Sequence, residues 1–528
     1  MKRLMFLICC AATFTNLSAQ SAEFSLNNIT SRLVPNTVDI RSIGMGKTEV
    51  AAKSGSNALF TNPSLLALQE NGSIKLGSAL HLGLKKDERL DDLADSNNAD
   101  LKYGYKPNFK FTNISASLPL HFQLPSTALS IAFGAGYQNA IDLSFTEYNN
   151  QEIQGTSGVI SEENKTRYTG GLNTITPGFA IGILDRISAG ISLNIGFGKM
   201  MSKTISEYKN AIAKETYESV ITATGKAFFP TFGLTGKPTE NLAIGVSISP
   251  SYEWEWDDIE MEIETDEADE ERDLDGGEFT MPLKFSIGLE YQVTPTFTLA
   301  VEYQTRPFSA FEFDADNMED LYGLGSLEAY INQIDLKNGH VLHLGAELLA
   351  GKTPLRFGFF LEPYAITDME LTSAGKIRFD ETPNYLMGGT FGLGIPIGDA
   401  VFIDAAAQYG RLKTINEHAI TSVRQKKYES IDHLIRVDLG LKINLPSINT
   451  IKAASPAKSS PAPKNTFPEN QSFPSQSTQP DYQSQQYNQS GYPSYQQIPA
   501  ESPDSNSSGN QGSYESGVPS FENQNSGY

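Results

Sequence analysis

The chain has 528 residues, of which 39% are hydrophobic and only 19% charged, against roughly 25% charged in an average soluble domain. Its 40 Lys+Arg and 62 Asp+Glu give a net charge of -22, so the basic footprint that nucleic-acid phosphates require is missing. Past the first twenty residues no uninterrupted apolar run reaches the roughly 18 residues of a spanning helix, which excludes a helical membrane protein.

At the N-terminus, Lys2 and Arg3 precede an apolar stretch from Leu4 to Phe14, and small and polar residues lead to Ser18 and Ala19. Residues 1–20 are therefore expected to be a cleaved secretory signal peptide. The two cysteines, Cys9 and Cys10, lie inside it, after Leu7-Ile8 rather than the small residues that precede a lipidated cysteine. The mature protein is expected to have no disulfide, no thiolate metal site and no cysteine nucleophile.

Residues 21–72 do not alternate cleanly. They contain Arg41-Ser42-Ile43-Gly44-Met45-Gly46 and Ala58-Leu59-Phe60-Thr61-Asn62-Pro63-Ser64-Leu65-Leu66-Ala67. Gly46-Lys47-Thr48 imitates the end of a phosphate-binding loop, but Arg41 stands where its first glycine belongs and no apolar strand leads into it. The glycines are expected to make tight backbone bends, and Asn62-Pro63 to fix a turn.

From residue 73 to 445 the dominant pattern is period-two alternation, the signature of strands with one apolar face. In Phe279 to Val293 the apolar residues fall on odd numbers, and in Leu242 to Trp256 on even ones. Fourteen such segments are predicted: 73–84, 110–122, 127–139, 172–184, 187–199, 226–236, 241–256, 278–293, 296–308, 340–350, 354–362, 384–397, 400–411 and 433–445. Short turns, such as those at Asp185-Arg186 and Gly351-Lys352, alternate with long polar loops over 85–109, 140–171, 200–225, 257–277, 309–339, 363–383 and 412–432. An even number of strands with short connections on one side and long ones on the other predicts a transmembrane antiparallel β-barrel. Trp254, Trp256 and Phe279 are expected in its interfacial aromatic girdle. The competing architecture is a secreted β-sandwich or β-helix, whose strands are shorter.

The Gly-Met-Gly and Asn-Pro segments resemble the N-terminal signature of FadL-type outer-membrane transporters, which carry long-chain fatty acids or other hydrophobic compounds such as toluene. The resemblance implies that residues 21–72 form a luminal hatch plugging a fourteen-stranded barrel, residues 73–445, with Gly44, Met45, Gly46, Asn62, Pro63 and Ser64 as hatch and ligand residues. Ser64 replaces the family's alanine and Leu65 a common glycine. A ligand would pass from a groove among the long loops to a pocket near the hatch and leave sideways through a break in the wall. Gly134 and Gly136 are the candidates for that break, with packing against the plug as the alternative. Relatives of the PorV type, with the same hatch signature, serve protein secretion, which gives a second reading; a secreted β-rich adhesin is a third.

No other chemistry stands out. His340 and His343 are three apart, so on a strand they face opposite ways, and no hydrolase elbow is present. The acidic stretch 257–275 imitates the start of a calcium loop, but Pro282 occupies the place of its last ligand. It reads as a solvated loop at the lipopolysaccharide surface. Lys284, Glu290, Glu302, Arg306, Arg356, Glu362, Asp404, Arg436, Asp438 and Lys442 fall on the inner face, where mixed signs can pair across a lumen and anchor a plug. Residues 446–528 turn to Pro, Ser, Gln, Asn, Gly and Tyr, which cannot bury enough apolar surface to order. They are expected to be a disordered periplasmic tail, a spacer or the binding segment of a periplasmic partner. The predicted protein is no enzyme and needs no cofactor or metal. It passively transports a hydrophobic, fatty-acid-like small molecule in contact with outer-membrane lipid.

Overall fold

The computed structural model describes residues 36–89, 107–123, 127–155, 158–209, 214–265, 269–274, 276–315, 336–364, 369–371, 377–379, 383–398, 400–421, 424–446 and 451–452. The expected signal peptide, the first part of the expected hatch and nearly all of the expected tail lie outside these residues.

Fourteen antiparallel strands form a closed barrel: β1 (Ser73–Arg89), β2 (Asn108–Gln123), β3 (Ala128–Asp142, resumed at Phe145–Gly155), β4 (Gly158–Ile183), β5 (Ile187–Lys209), β6 (Lys214–Thr239), β7 (Leu242–Ser249, resumed at Tyr252–Thr265), β8 (Gly277–Met281, resumed at Lys284–Thr294), β9 (Phe297–Arg306, resumed at Glu312–Ala315), β10 (Gly339–Ala350), β11 (Thr353–Pro363), β12 (Tyr385–Ile397), β13 (Val401–Thr421) and β14 (Arg424–Asn444). Each pairs with its sequence neighbours, and β1 closes on β14 from Ser73↔Asn444 to Arg89↔Tyr428. Closure removes the unpaired edges that a bilayer does not tolerate. The tight turns have the backbone that hairpins need: Leu184 and Asp185 take φ of 57° and 53° between β4 and β5, and Gly351 takes 68° between β10 and β11.

The wall is inverted relative to a soluble protein. On β4, Ile175, Phe179, Ile181 and Ile183 are exposed outward, while Thr174, Thr176 and Ala180 are buried. On β5, Leu193, Ile195 and Phe197 point out, and Ser188, Ser192 and Asn194 point in. An apolar outer band over a polar interior is the arrangement of a barrel whose solvent is lipid.

Three expectations change. First, most of the predicted loop at 140–171, and much of those at 200–225, 257–277 and 412–432, continues the ladder: β4 and β6 each run 26 residues, and Asp269–Leu274 folds back on β7. Above the bilayer both faces of a strand meet water, so alternation fades although backbone pairing continues. Second, Trp254 and Trp256 are no lipid-facing girdle; they are 0% and 3% exposed, inside the barrel. The cause is a reversal of faces. Ile244 and Ile248 point outward on β7, but past Pro250 and Ser251, which are in no strand, the even-numbered Trp254 and Trp256 point inward. On β8, Met281 points inward and Leu283 outward across the break at Pro282–Leu283. Third, the ladder is unbroken at Gly134 and Gly136, which pair with Ser117 and Ser115 on one side and with Gly178 and Thr176 on the other. A Cβ at Gly136 would lie 2.7 Å from Phe60 Cζ, and one at Gly134 3.2 Å from Leu59 and Leu66. Both glycines make room for the plug rather than open the wall.

Candidate functional site: a pocket between two plugs

The lower plug is residues 36–72, a short helix α1 (Ile40–Gly44) and two 3-10 turns, Gly55–Phe60 and Pro63–Leu68. Its apolar side chains form small cores with the wall, Leu59, Leu65 and Leu66 against Ala132 and Ala180, and Ile40 and Ile43 against Ala406.

The wall is otherwise polar here, so the plug is held mainly by charge. Arg41 donates from Nε and Nη2 to both oxygens of Glu347 at 3.0 Å and from Nη1 to Glu290 at 3.1 Å. Glu347 also accepts from Arg356, which reaches Asp404 at 2.6 Å. Lys47 pairs with Glu362 at 2.8 Å, Lys75 of β1 with Asp39, and Arg436 donates to the Thr37 carbonyl at 3.0 Å. These contacts bear out the reading of the mixed inner-face charges as a plug anchor. The carboxylates beside Arg41 favour its cationic form more than burial opposes it, and Lys75 holds the Asp39 carboxyl below the usual carboxylate range despite burial.

The residues singled out by sequence sit at the plug's tightest points. Gly46 has φ of 68°, and a Cβ there would lie 2.7 Å from the Phe359 carbonyl oxygen. The Thr390 hydroxyl joins the Gly44 carbonyl, at 3.0 Å, to the Gly46 N–H, at 2.9 Å, and Met45 is fully buried between them. Asn62 caps the turn that begins at Pro63. Its Oδ1 accepts from the Ser64 N–H at 3.2 Å and hydroxyl at 2.6 Å, and its Nδ2 donates to the Val50 carbonyl at 2.6 Å and to Thr235 of β6 at 3.0 Å. The Ser64 hydroxyl also meets Thr235, at 2.7 Å, so the family's alanine would forfeit that bond. Gly44, Met45, Gly46, Asn62, Pro63 and Ser64 thus sit at close contacts within the plug or between plug and wall, and none of them lines the pocket.

The upper plug is aromatic and was not legible as one. Trp254 and Trp256 pack with ring centroids 4.5 Å apart, Phe279 stands 5.9 Å from Trp256 and stacks on Phe311 at 5.7 Å, and Tyr252 lies over Phe229 at 3.9 Å. Ile141, Leu143 and Leu172 complete this core.

Between the two plugs is a pocket, partly open to its surroundings. Phe60 of the hatch, together with Phe229, Tyr252, Met281, Phe308, Phe311 and Leu336, lines it. Lys284 and Arg306 also line it. Among the described residues neither side chain forms an ion pair or hydrogen bond. The Ser286↔Gln304 pairing places them opposite each other on β8 and β9, and like charges directly opposite are unfavourable without an anion between them. Of the nearby carboxylates, Glu362 is engaged by Lys47 and His343 and Glu302 by the Glu49 and Val50 N–H groups at 2.6 and 2.8 Å, whereas Glu49, whose Oε2 has no hydrogen-bond partner, interacts with Lys284 through charge alone. Sequence reading placed Lys284 and Arg306 on the inner face but missed their pocket, because the aromatic half of its lining depends on the reversal of faces. The interrupting prolines, Pro250 and Pro282, were the available signal.

A hatch-plugged fourteen-stranded barrel with an apolar pocket above its hatch is the FadL-type fold of the outer membrane. The structure is similar to that of a FadL homologue from Pseudomonas aeruginosa, with a TM-score of 0.52 and 9% identity over 77% of this chain and 98% of that one. Weaker likenesses are to the toluene transporter TodX of P. putida, at a TM-score of 0.49 and 13% identity over 79% of this chain and all of that one, and to the toluene transporter TbuX of Ralstonia pickettii, at 0.47 and 13% over 79% and 99%. No protein-family model matches the chain, and no curated protein matches its sequence.

Proposed function

We propose that this protein is a passive outer-membrane channel for hydrophobic small molecules, and that its preferred cargo is a long-chain fatty acid. The observation that carries the choice is the pair of cations, Lys284 and Arg306, which form no ion pair or hydrogen bond among the described residues, on the wall of an otherwise largely apolar pocket. A neutral aromatic hydrocarbon would bury against Phe229, Tyr252 and Phe311 but leave both charges without a hydrogen-bond partner. A fatty acid supplies both an alkyl chain and a carboxylate. A hydrogen bond to a charged group contributes roughly 1.5–3 kcal/mol, more than tenfold in affinity. The pocket then acts as a way station between the outside and the membrane, with the hatch below it blocking a straight aqueous path.

The test is direct binding to the folded barrel of oleate, oleyl alcohol and toluene. Oleate is expected to bind at least tenfold tighter than oleyl alcohol, with the difference abolished in Lys284→Met/Arg306→Met. Equal binding of acid and alcohol by the unaltered protein would defeat the fatty-acid assignment, and tight toluene binding would replace it with a neutral aromatic cargo. Uptake of labelled oleate by cells lacking their own transporter would extend the result from binding to transport.

A further inference from the structure

The lipid-facing side of the wall changes character on β13. Going up this strand, the outward side chains are Ile403, Ala405, Ala407, Tyr409, Arg411 and Lys413. From Val401, at the short turn, to Arg411 the strand advances ten residues. At about 3.3 Å per residue and a tilt of about 40° they climb about 25 Å, the height of the apolar band of such a barrel. Arg411 and Lys413, both exposed, therefore emerge where lipid tails give way to headgroups, on the side of the long loops.

Arg411 pairs directly with His433 of β14, which sets their side chains next to each other. The His433 ring stacks on Tyr409 with centroids 5.9 Å apart, and its Nδ1 meets the Tyr409 hydroxyl at 2.8 Å. With Nδ1 engaged, Nε2 is the nitrogen left to donate to a ligand. Over Tyr385–Ile397, Val401–Lys413 and Ile431–Asn444 no outward position holds a carboxylate; Asp404 and Asp438 are buried, and Asp432 pairs with the buried Leu412. The opposite flank is different. The Tyr303 hydroxyl meets His340 Nδ1 at 2.7 Å in the same kind of pair on β9 and β10, but no outward position of Phe297–Arg306 or Gly339–Ala350 carries Arg or Lys. On β7, past Ser251, the exposed residues are Glu253 and Glu255, which repel anions.

Below Tyr409 the wall is furrowed. Ala407 lies between Phe391 of β12 and Val437 of β14, and Ala405 between Leu393 and Leu439. Two methyl groups flanked by four large side chains leave a shallow apolar channel that runs down from the cations. A free anion would use only the head of this arrangement, whereas a lipid with an anionic headgroup uses all of it.

We propose that this is a binding site for a phosphorylated glycolipid of the outer leaflet, of the lipid A class. Arg411 grips a phosphate with two parallel N–H bonds, His433 Nε2 donates another, and Lys413 adds positive charge from above. An acyl chain lies along Ala407 and Ala405. The site is on the outer face of the wall and the fatty-acid pocket is inside it, so either can exist without the other.

The test uses the full-length folded barrel in neutral detergent without divalent cations. It is titrated with bisphosphorylated lipid A, with lipid A stripped of its phosphates and with phosphatidylglycerol, and bound lipid is counted by native mass spectrometry. One bisphosphorylated lipid A is expected to bind at least tenfold more tightly than either alternative. Arg411→Ala/His433→Phe, which keeps the ring stack, should abolish that preference. Ala407→Phe, which fills the furrow, should weaken lipid A at least fivefold, and Tyr303→Phe/His340→Phe should change nothing. Heat-modifiable migration checks that each barrel is folded. Equal lipid A binding by the unaltered and Arg411→Ala/His433→Phe barrels would overturn the site. Phosphatidylglycerol bound as tightly as lipid A would overturn the glycolipid assignment, and unchanged binding in Ala407→Phe would overturn the furrow as part of the site.

Discussion

Replacing Arg41 by alanine removes the strongest tie between hatch and wall, and its cost can be worked from the contacts. Arg41 satisfies both oxygens of Glu347 and one of Glu290. In its absence Glu347 keeps Arg356 at 2.8 Å, but Glu290, 7% exposed, loses the only ion-pair partner recorded for it among the described residues. Removing one member of a buried pair costs about 3–5 kcal/mol. Because Glu347 retains a cation and the vacated space admits water, the lower figure applies, and about 3 kcal/mol corresponds to roughly a hundredfold increase in undocked hatch. The assay is maleimide labelling of Ala58→Cys, a hatch residue fully buried where the hatch packs on the wall, in a chain whose own cysteines are both in the expected signal. Arg41→Ala should raise the labelling rate about a hundredfold, and adding Glu290→Gln should recover part of that by removing the stranded charge. Labelling at the parental rate in a folded Arg41→Ala barrel would refute the view that charge pairs hold the hatch.

The same reporter reads three other changes. Asn62→Ala deletes the turn cap and the bridge to Thr235 and leaves the Val50 carbonyl without this donor, so labelling should accelerate by roughly tenfold to a hundredfold, the equivalent of about 1–3 kcal/mol. Gly46→Ala puts a Cβ against the backbone of β10 and β11 at positive φ; the barrel should still show heat-modifiable migration while the hatch labels freely. Glu49 is 3% exposed and its Oε2 has no partner, and burial raises its pKa to about 7. Since this lies above the undocked value of 4.5, the docked hatch holds the proton more tightly between those limits. Docking is therefore favoured at low pH and weakens as pH rises from about 4.5 to 7, so labelling should speed up across that interval and Glu49→Gln should flatten the profile.

The strand count was legible because lipid enforces a strict alternation: each of the fourteen predicted segments overlaps one strand. Strand ends were not legible, since the outer halves of β4, β5 and β6 carry no strict alternation in sequence. The hatch motif pointed to residues that lie at contacts between the plug and the wall, but only coordinates could show that Asn62 reaches Thr235 and that Thr390 bridges Gly44 and Gly46, because these partners are 173 and 344 residues apart. The aromatic roof was misread for a specific reason. Its two tryptophans continue the numerical alternation of β7 while a proline between them and the preceding segment exchanges inside for outside. The opposite orientation of His340 and His343 was legible, as no break separates them: His343 is 2% exposed, and the exposed His340 stacks on Tyr303.

The distribution of the hatch's partners orders the birth of the molecule. Thr37 is bonded to Arg436, 399 residues later, and Arg41 to Glu347, 306 residues later. Other ties reach β1, β6, β8, β11 and β12. Such separations carry the heaviest loop-closure cost in the chain, and no partial barrel presents the whole set. The segment that leaves the ribosome among the first is therefore the last to find its seat. A seated hatch certifies that β14 has met β1, and a cell that sealed the pore any earlier would be sealing an unfinished barrel.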